Sequence, residues 1–143
     1  MTVVEQFPYC DRNPTSPGLD LMPDLPILLR HQSHVLSGVG LVDSGASISV
    51  LPYSLGVQLG IDWQSQTAPI TLAGTLEHVE AGGIVVEATV GKLSPVRIAF
   101  AWAKSDEVPF LLGEFNFFQV FDVSFFRARG VFEIRQPGAA KSP

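Results

Sequence analysis

The hydrophobic residues of the chain fall in short runs separated by polar segments and by segments that contain Gly or Pro. The runs over 25–29, 39–42, 48–51, 69–72, 83–90, 96–101, 110–112, 123–126 and 131–134 have the length of strands. Over 83–90, successive residues alternate in the manner of a half-buried strand. Many short strands joined by turns predict a mostly β fold.

Two segments are predicted to form short helices. The segment 53–59 lies between Pro52, which suits the start of a helix, and Gly60, which suits its end. The segment 114–121 places Phe115, Phe118 and Phe121 on neighbouring helical turns. We therefore expect one or two short helices beside the strands.

The ends of the chain differ from its middle in proline content. Residues 1–24 are rich in proline, which removes backbone donors and blocks helix, so we expect an irregular N-terminal arm. The segment 25–135 carries the apolar runs and has the size of one domain. The segment 136–143, with Pro137, Gly138 and Pro143, is expected to be a flexible tail.

Composition and charge narrow the classes of partner. The chain is 46% hydrophobic, which is ample for a packed core, and its net charge of -5 comes without a basic cluster. Nucleic acid and anionic membrane are therefore poor candidate partners. Cys10 is the single cysteine, and neither a signal peptide nor a membrane span is recognisable, so we expect a cytoplasmic domain.

The chemistry of the chain centres on Asp43, which is followed by Ser44, Gly45 and Ala46. Asp, Ser and Gly are turn formers, so most such triplets are ordinary turns. Here the apolar residues 41–42 run directly into Asp43, and apolar residues resume at 48–51. A carboxylate delivered from a buried strand into a tight loop favours a functional role over a solvent-facing turn.

The segment 41–47, Leu-Val-Asp-Ser-Gly-Ala-Ser, resembles the active-site loop of retropepsin-like aspartic proteases. A second hallmark of that family is an apolar pair and a Gly before a short helix. The segment 110–113, which ends in Leu112 and Gly113, matches it together with the segment 114–121. The resemblance implies an acid protease barrel with a flap hairpin over 71–84. Its tip would lie near Ala73, Gly74 and Thr75, which would contact the substrate.

The resemblance also implies the mechanism. Enzymes of this family hydrolyse peptide bonds with two carboxylates that share one proton around a water molecule. The chain carries one such motif, so each chain would supply half a site and a homodimer would supply both copies of Asp43. Ser44 would lock the two loops together, while Gly45 and Ala46 would leave room for the polypeptide substrate. No cofactor and no metal are implied.

Two departures from the family keep other interpretations open. Retroviral members commonly pair an Asp after the Ala with an Arg after the late Gly, and here those positions hold Ser47 and Glu114. A catalytically silent module that dimerises or binds extended peptides is therefore an alternative. A small β-barrel with an accidental triplet is a weaker one. His31 and His34 are better explained by a polar hairpin turn than by a metal site.

Overall fold

The computed structural model describes residues 3–13, 15–65 and 68–137, and these form the mostly β fold that the sequence predicts. The strands described are β1 (Val4–Pro8), β2 (Cys10–Asp11), β3 (Leu21–Met22), β4 (Asp24–His31), β5 (His34–Val42), β6 (Val50–Leu51), β7 (Pro69–Thr71), β8 (Glu80–Thr89), β9 (Val96–Ala103), β10 (Leu111–Leu112), β11 (Asp122–Phe126) and β12 (Val131–Arg135). The helices described are α1 (Tyr53–Gln58) and α2 (Phe117–Val120).

The strands β4, β5, β10, β6, β9 and β8 form a closed barrel. They are hydrogen-bonded in that order, and an additional antiparallel pairing between β4 and β8 closes the ring. On the side of β8 away from β9, β7 pairs with the first residues of β8. The hairpin of β4 and β5 turns at Gln32 and Ser33, within the polar segment predicted as a turn.

Alternating side chains of the long strands fill the barrel. In β4 and β8, buried residues alternate with exposed ones, as expected for strands with one face toward the core. Trp102, Phe100 and Leu29 are among the fully buried side chains. Gly56 of α1 lies directly against the indole of Trp102, so the helix can approach the barrel closely.

The two helices differ in how well the sequence predicts them. Helix α1 begins after Pro52 and is followed by Gly60, whose φ of 74° suits glycine, so the prediction over 53–59 is confirmed within a residue. The predicted helix over 114–121 is reduced to four residues. Asn116 has a φ of 75° and caps α2, which prevents a helix from starting at 114. Among the described residues, no helix is long and apolar enough to span a membrane.

The segment predicted as an irregular N-terminal arm contains paired strands. Strand β1 pairs antiparallel with β12, and β12 pairs on its other side with β11, which makes a second, three-stranded sheet. The rings of Phe7 and Tyr9 both lie 5.7 Å from the ring of Phe132. These apolar contacts with a strand near the C-terminus explain why a proline-rich segment is ordered here. Pro14 and residues 138–143 lie outside the described residues, so the expected flexibility of the tail stays a prediction.

Candidate active site

Three strands of the barrel place Asp43 at the end of β5. The short strand β10 lies between β5, to which it is parallel, and β6, to which it is antiparallel. The amide of Leu41 donates to the carbonyl of Phe110 at 2.9 Å, and the amide of Asp43 donates to the carbonyl of Leu112 at 3.0 Å. The Asp43 loop and the segment that ends at Gly113 therefore lie side by side.

Asp43 begins a tight turn that exposes its carboxylate. The amide of Gly45 donates to Oδ1 of Asp43 at 2.9 Å, and the amide of Ala46 donates to the carbonyl of Asp43 at 3.1 Å. Asp43 is partly exposed, and Ser44 and Gly45 are exposed. Asp43 forms no ion pair within the described part of the chain, so its contact with Gly45 orients a carboxylate that remains accessible to a ligand.

Gly113 is the point at which the second segment touches the Asp43 loop. A Cβ atom at this position would lie 2.8 Å from the carbonyl oxygen of Ala46 and 2.7 Å from the carbonyl carbon of Ile48. Both neighbours are backbone atoms, so only glycine fits without a displacement of the loop. The amide of Gly113 donates to Oγ of Ser49 at 3.0 Å, and Ser49 is only 1% exposed.

Ser47 and Glu114 are the two positions that depart from the retroviral pattern. Both lie where the Asp43 loop meets the segment that follows Gly113. The amide of Glu114 donates to the carbonyl of Ala46 at 2.8 Å, and the amide of Phe115 donates to the carbonyl of Ser47 at 2.9 Å. Backbone hydrogen bonds thus join the two segments without a side-chain ion pair, and they do not depend on the charge of either residue.

The hairpin of β7 and β8 contains the residues predicted for the flap. Its strands pair from Pro69 with Gly82 to Thr71 with Glu80. Ala73 and Gly74 are exposed at the tip, where the backbone forms a 3-10 turn over Gly74–Leu76. Gly74 has a φ of 67° and open space where a side chain would be. The side chain of Thr75 lies outside the described part of the structure, and the contact of all three residues with substrate stays a prediction.

An ion pair near the Asp43 loop was not predicted from the sequence. Nε of Arg12 donates to Oδ2 of Asp24 at 2.9 Å, and Nη2 of Arg12 donates to Oδ1 of the same carboxylate. These hydrogen bonds raise the pKa of the Arg12 guanidinium above its usual value. Arginine is charged even at its ordinary pKa, so the contact with Asp24 is an ion pair. The pair fixes the N-terminal segment to the first residue of β4, next to Pro23, whose carbonyl accepts from the amide of Val42.

The comparisons with known proteins agree with this geometry. The family model described as aspartyl protease matches residues 36–114, which contain the Asp43 loop, the β7–β8 hairpin and Gly113. The chain belongs to the aspartyl protease family. No curated protein sequence matches the chain.

Among solved structures, this aspartyl protease family member is similar to a retropepsin-like aspartic protease from Rickettsia conorii. The two chains are 18% identical, the match covers 95% of this chain and 94% of the other, and the TM-score is 0.65. The similarity confirms the predicted retropepsin-like fold.

Sequence reasoning missed one buried residue of the site, Ser49. A serine within the apolar run 48–51 was a usable signal, because a buried hydroxyl needs a hydrogen-bond partner. The part of the chain that the structure describes contains no group of three or more His, Cys, Asp or Glu side chains placed to hold a metal ion.

Proposed function

We propose that the chain is an aspartic endopeptidase whose active site forms when two chains bring their Asp43 carboxylates together. The observation that carries the proposal is the partly exposed carboxylate of Asp43, which a turn orients at the end of a barrel strand, in a loop that packs against Gly113. The substrate is a polypeptide in extended conformation. The family and the fold support hydrolysis of peptide bonds.

The chemistry needs one ionised and one protonated copy of Asp43. The ionised carboxylate takes a proton from a water molecule as the water oxygen attacks the carbonyl carbon of the peptide bond. The protonated carboxyl donates its proton to the carbonyl oxygen. When the tetrahedral intermediate collapses, the bond between carbon and nitrogen breaks, and the amine nitrogen receives the proton that was taken from water. One hydroxyl of the intermediate returns a proton to the other carboxylate, so the product is a carboxylic acid and the pair again holds one proton. Ser44 would bind the partner loop, and Gly45 and Ala46 would face the peptide backbone.

The hairpin of β7 and β8 supports a role as a flap over the substrate. Its exposed tip at Ala73 and Gly74 could pair with an extended peptide as an added strand. Closure of such a hairpin excludes water and orders the substrate. Thr75 would contribute through its backbone.

We propose that the two chains meet along the outer edge of β11. No strand in the described ranges pairs with that edge, and Phe125 on β11 is 42% exposed. The opposite edge of the sheet, at β1, is less open. Oε1 of Glu5 on β1 accepts from the amide of Lys92 at 2.5 Å, and Pro8 has no amide to donate to a further strand. Antiparallel pairing of β11 with the partner's β11 would satisfy two-fold symmetry.

A lysine at Phe125 tests the interface. Phe125→Lys places like charges on both edges and should shift the monomer–dimer equilibrium toward monomer in sedimentation experiments across a concentration series. Val39→Lys is the control, because Val39 is also exposed but lies on β5 of the barrel. A dimer that tolerates Phe125→Lys as well as it tolerates Val39→Lys would contradict this choice of edge.

Peptide cleavage tests the catalytic proposal. Wild type and Asp43→Asn should be compared on a diverse peptide library, read by mass spectrometry from acid to neutral pH. Cuts made by wild type alone would support the aspartic mechanism. Peptide binding by both proteins, with no cuts at any pH or concentration, would support the silent module instead.

A further inference from the structure

Two polar side chains are buried among the residues that the structure describes, those of Asp24 and Ser49. The carboxylate of Asp24 is compensated by its hydrogen bonds from Arg12. Ser49 lies within the apolar run 48–51 and is 1% exposed, so an alanine there would avoid the cost of burying a hydroxyl group. The contacts of this hydroxyl must offset that cost.

Ser49 connects the barrel with the segment that ends at Gly113. Its carbonyl accepts from the amide of Ala101 in β9 at 2.9 Å, and its Oγ accepts from the amide of Gly113 at 3.0 Å. Strand β10 pairs with β6 through Leu111 and Val50. Gly113 lies two residues beyond this pairing, where the hydroxyl of Ser49 serves as the acceptor for its amide.

The residues on either side of Gly113 hold the two ends of the Asp43 loop. The carbonyl of Leu112 accepts from the amide of Asp43 at 3.0 Å. The amide of Glu114 donates to the carbonyl of Ala46 at 2.8 Å. Gly113 itself packs against the backbone of Ala46. A shift of Gly113 would therefore move both contacts that fix the loop.

We propose that Ser49 is a positioning residue for peptide hydrolysis, which acts on the Asp43 carboxylate through Gly113. The proposal rests on the proposed protease function, in which two copies of Asp43 meet around one water molecule. Without the hydroxyl, the buried amide of Gly113 loses its acceptor, and the segment shifts. A displacement of about 1 Å at a reacting group costs about a hundredfold in rate. Because Ser49 is buried, it acts through its neighbours and not by contact with the substrate.

Three variants separate positioning from stability. Ser49→Ala removes the acceptor and keeps the Cβ atom, whereas Ser49→Thr keeps the hydroxyl. Val86→Ala is the matched control, because Val86 is 2% exposed, lies on β8 and pairs with Ile98. Its truncation lowers the stability of the barrel without removing a contact to Gly113. Urea unfolding and sedimentation first establish conditions in which every variant is folded and dimeric.

The kinetic test measures kcat and KM on a peptide that wild type cleaves. Ser49→Ala should lower kcat by about tenfold to a hundredfold and change KM by less than about twofold, because the lost contact affects the geometry of the reacting groups and not the binding of substrate. Ser49→Thr should restore most of kcat, and Val86→Ala should keep the kcat of wild type. An unchanged kcat in Ser49→Ala, or an equal fall in Val86→Ala, would overturn the assignment.

Hydrogen exchange gives a second readout that does not require cleavage. In Ser49→Ala the amides of Asp43 and Glu114 should exchange about tenfold faster than in wild type, while the amides of β8 keep their rates. Val86→Ala should show the opposite pattern. Unchanged exchange at Asp43 and Glu114 would overturn the role of Ser49. If exchange changes as expected but wild type cleaves no peptide, the proposed hydrolysis is wrong and the support of the loop by Ser49 stands.

Discussion

Gly113→Ala should destabilise the protein by about 2–4 kcal/mol, because there is no room for a Cβ atom where Gly113 contacts the Asp43 loop. The added atom would lie 2.8 Å from the carbonyl oxygen of Ala46, and the opposing atoms belong to the backbone. Displacement of the Asp43 loop by the added Cβ atom costs about 1–3 kcal/mol, as at other sites where an extra methyl group is forced into a packed region. The same displacement would weaken the buried hydrogen bond from the amide of Gly113 to Oγ of Ser49, which adds about 1 kcal/mol.

Urea unfolding at matched protein concentration measures this cost, with the slope of the transition as a check on two-state behaviour. Gly45→Ala is the control from the same site, because a Cβ atom there would meet only Oδ1 of Asp43, at 3.2 Å. That oxygen can move by side-chain rotation, so the control should lose less than about 1 kcal/mol. Neither glycine has a positive φ, so backbone strain does not distinguish them. Equal losses for the two variants would refute the steric account of Gly113.

Two further predictions concern the N-terminal segment. Arg12→Ala should lower the free energy of unfolding by about 1–3 kcal/mol because it leaves the carboxylate of Asp24, which is 8% exposed, without its two charged hydrogen bonds. Arg12→Lys should recover only part of the loss, since lysine cannot make the paired contact, and full recovery would contradict this. Removal of residues 1–9 should lower the midpoint of thermal unfolding rather than raise activity, because it uncovers Phe132. A truncated protein that is more active and equally stable would contradict this.

Local patterns in the sequence predicted most of the barrel. The apolar runs over 25–29 and 39–42 lie in β4 and β5, and the boundaries set by Pro52 and Gly60 predicted α1. Each of these predictions depends on residues close together in the chain. The family resemblance singled out both Asp43 and Gly113, but no local pattern specified that the two would lie side by side.

The features that the sequence did not predict depend on distant residues. The pairing of Val4 with Arg135 joins the two ends of the chain, and no periodicity within either strand specifies the other as its partner. Nothing in the sequence specifies which acidic residue Arg12 contacts, so its hydrogen bond to Asp24 could be identified only from the fold. The expected helix over 114–121 failed at Asn116, because its positive φ is set by contacts with Ala99 and Gln119 outside the aromatic pattern.

The dependence of catalysis on two copies of Asp43 can be measured by mixing chains. Wild type and Asp43→Asn are unfolded together in equal amounts, refolded, and assayed on a peptide that wild type cleaves. If the site needs an Asp43 from each chain, random pairing leaves about a quarter of the dimers active. Cleavage should then fall to about a quarter of the rate of the same total amount of wild type. A rate of about half would mean that each chain acts alone, and would contradict the shared site.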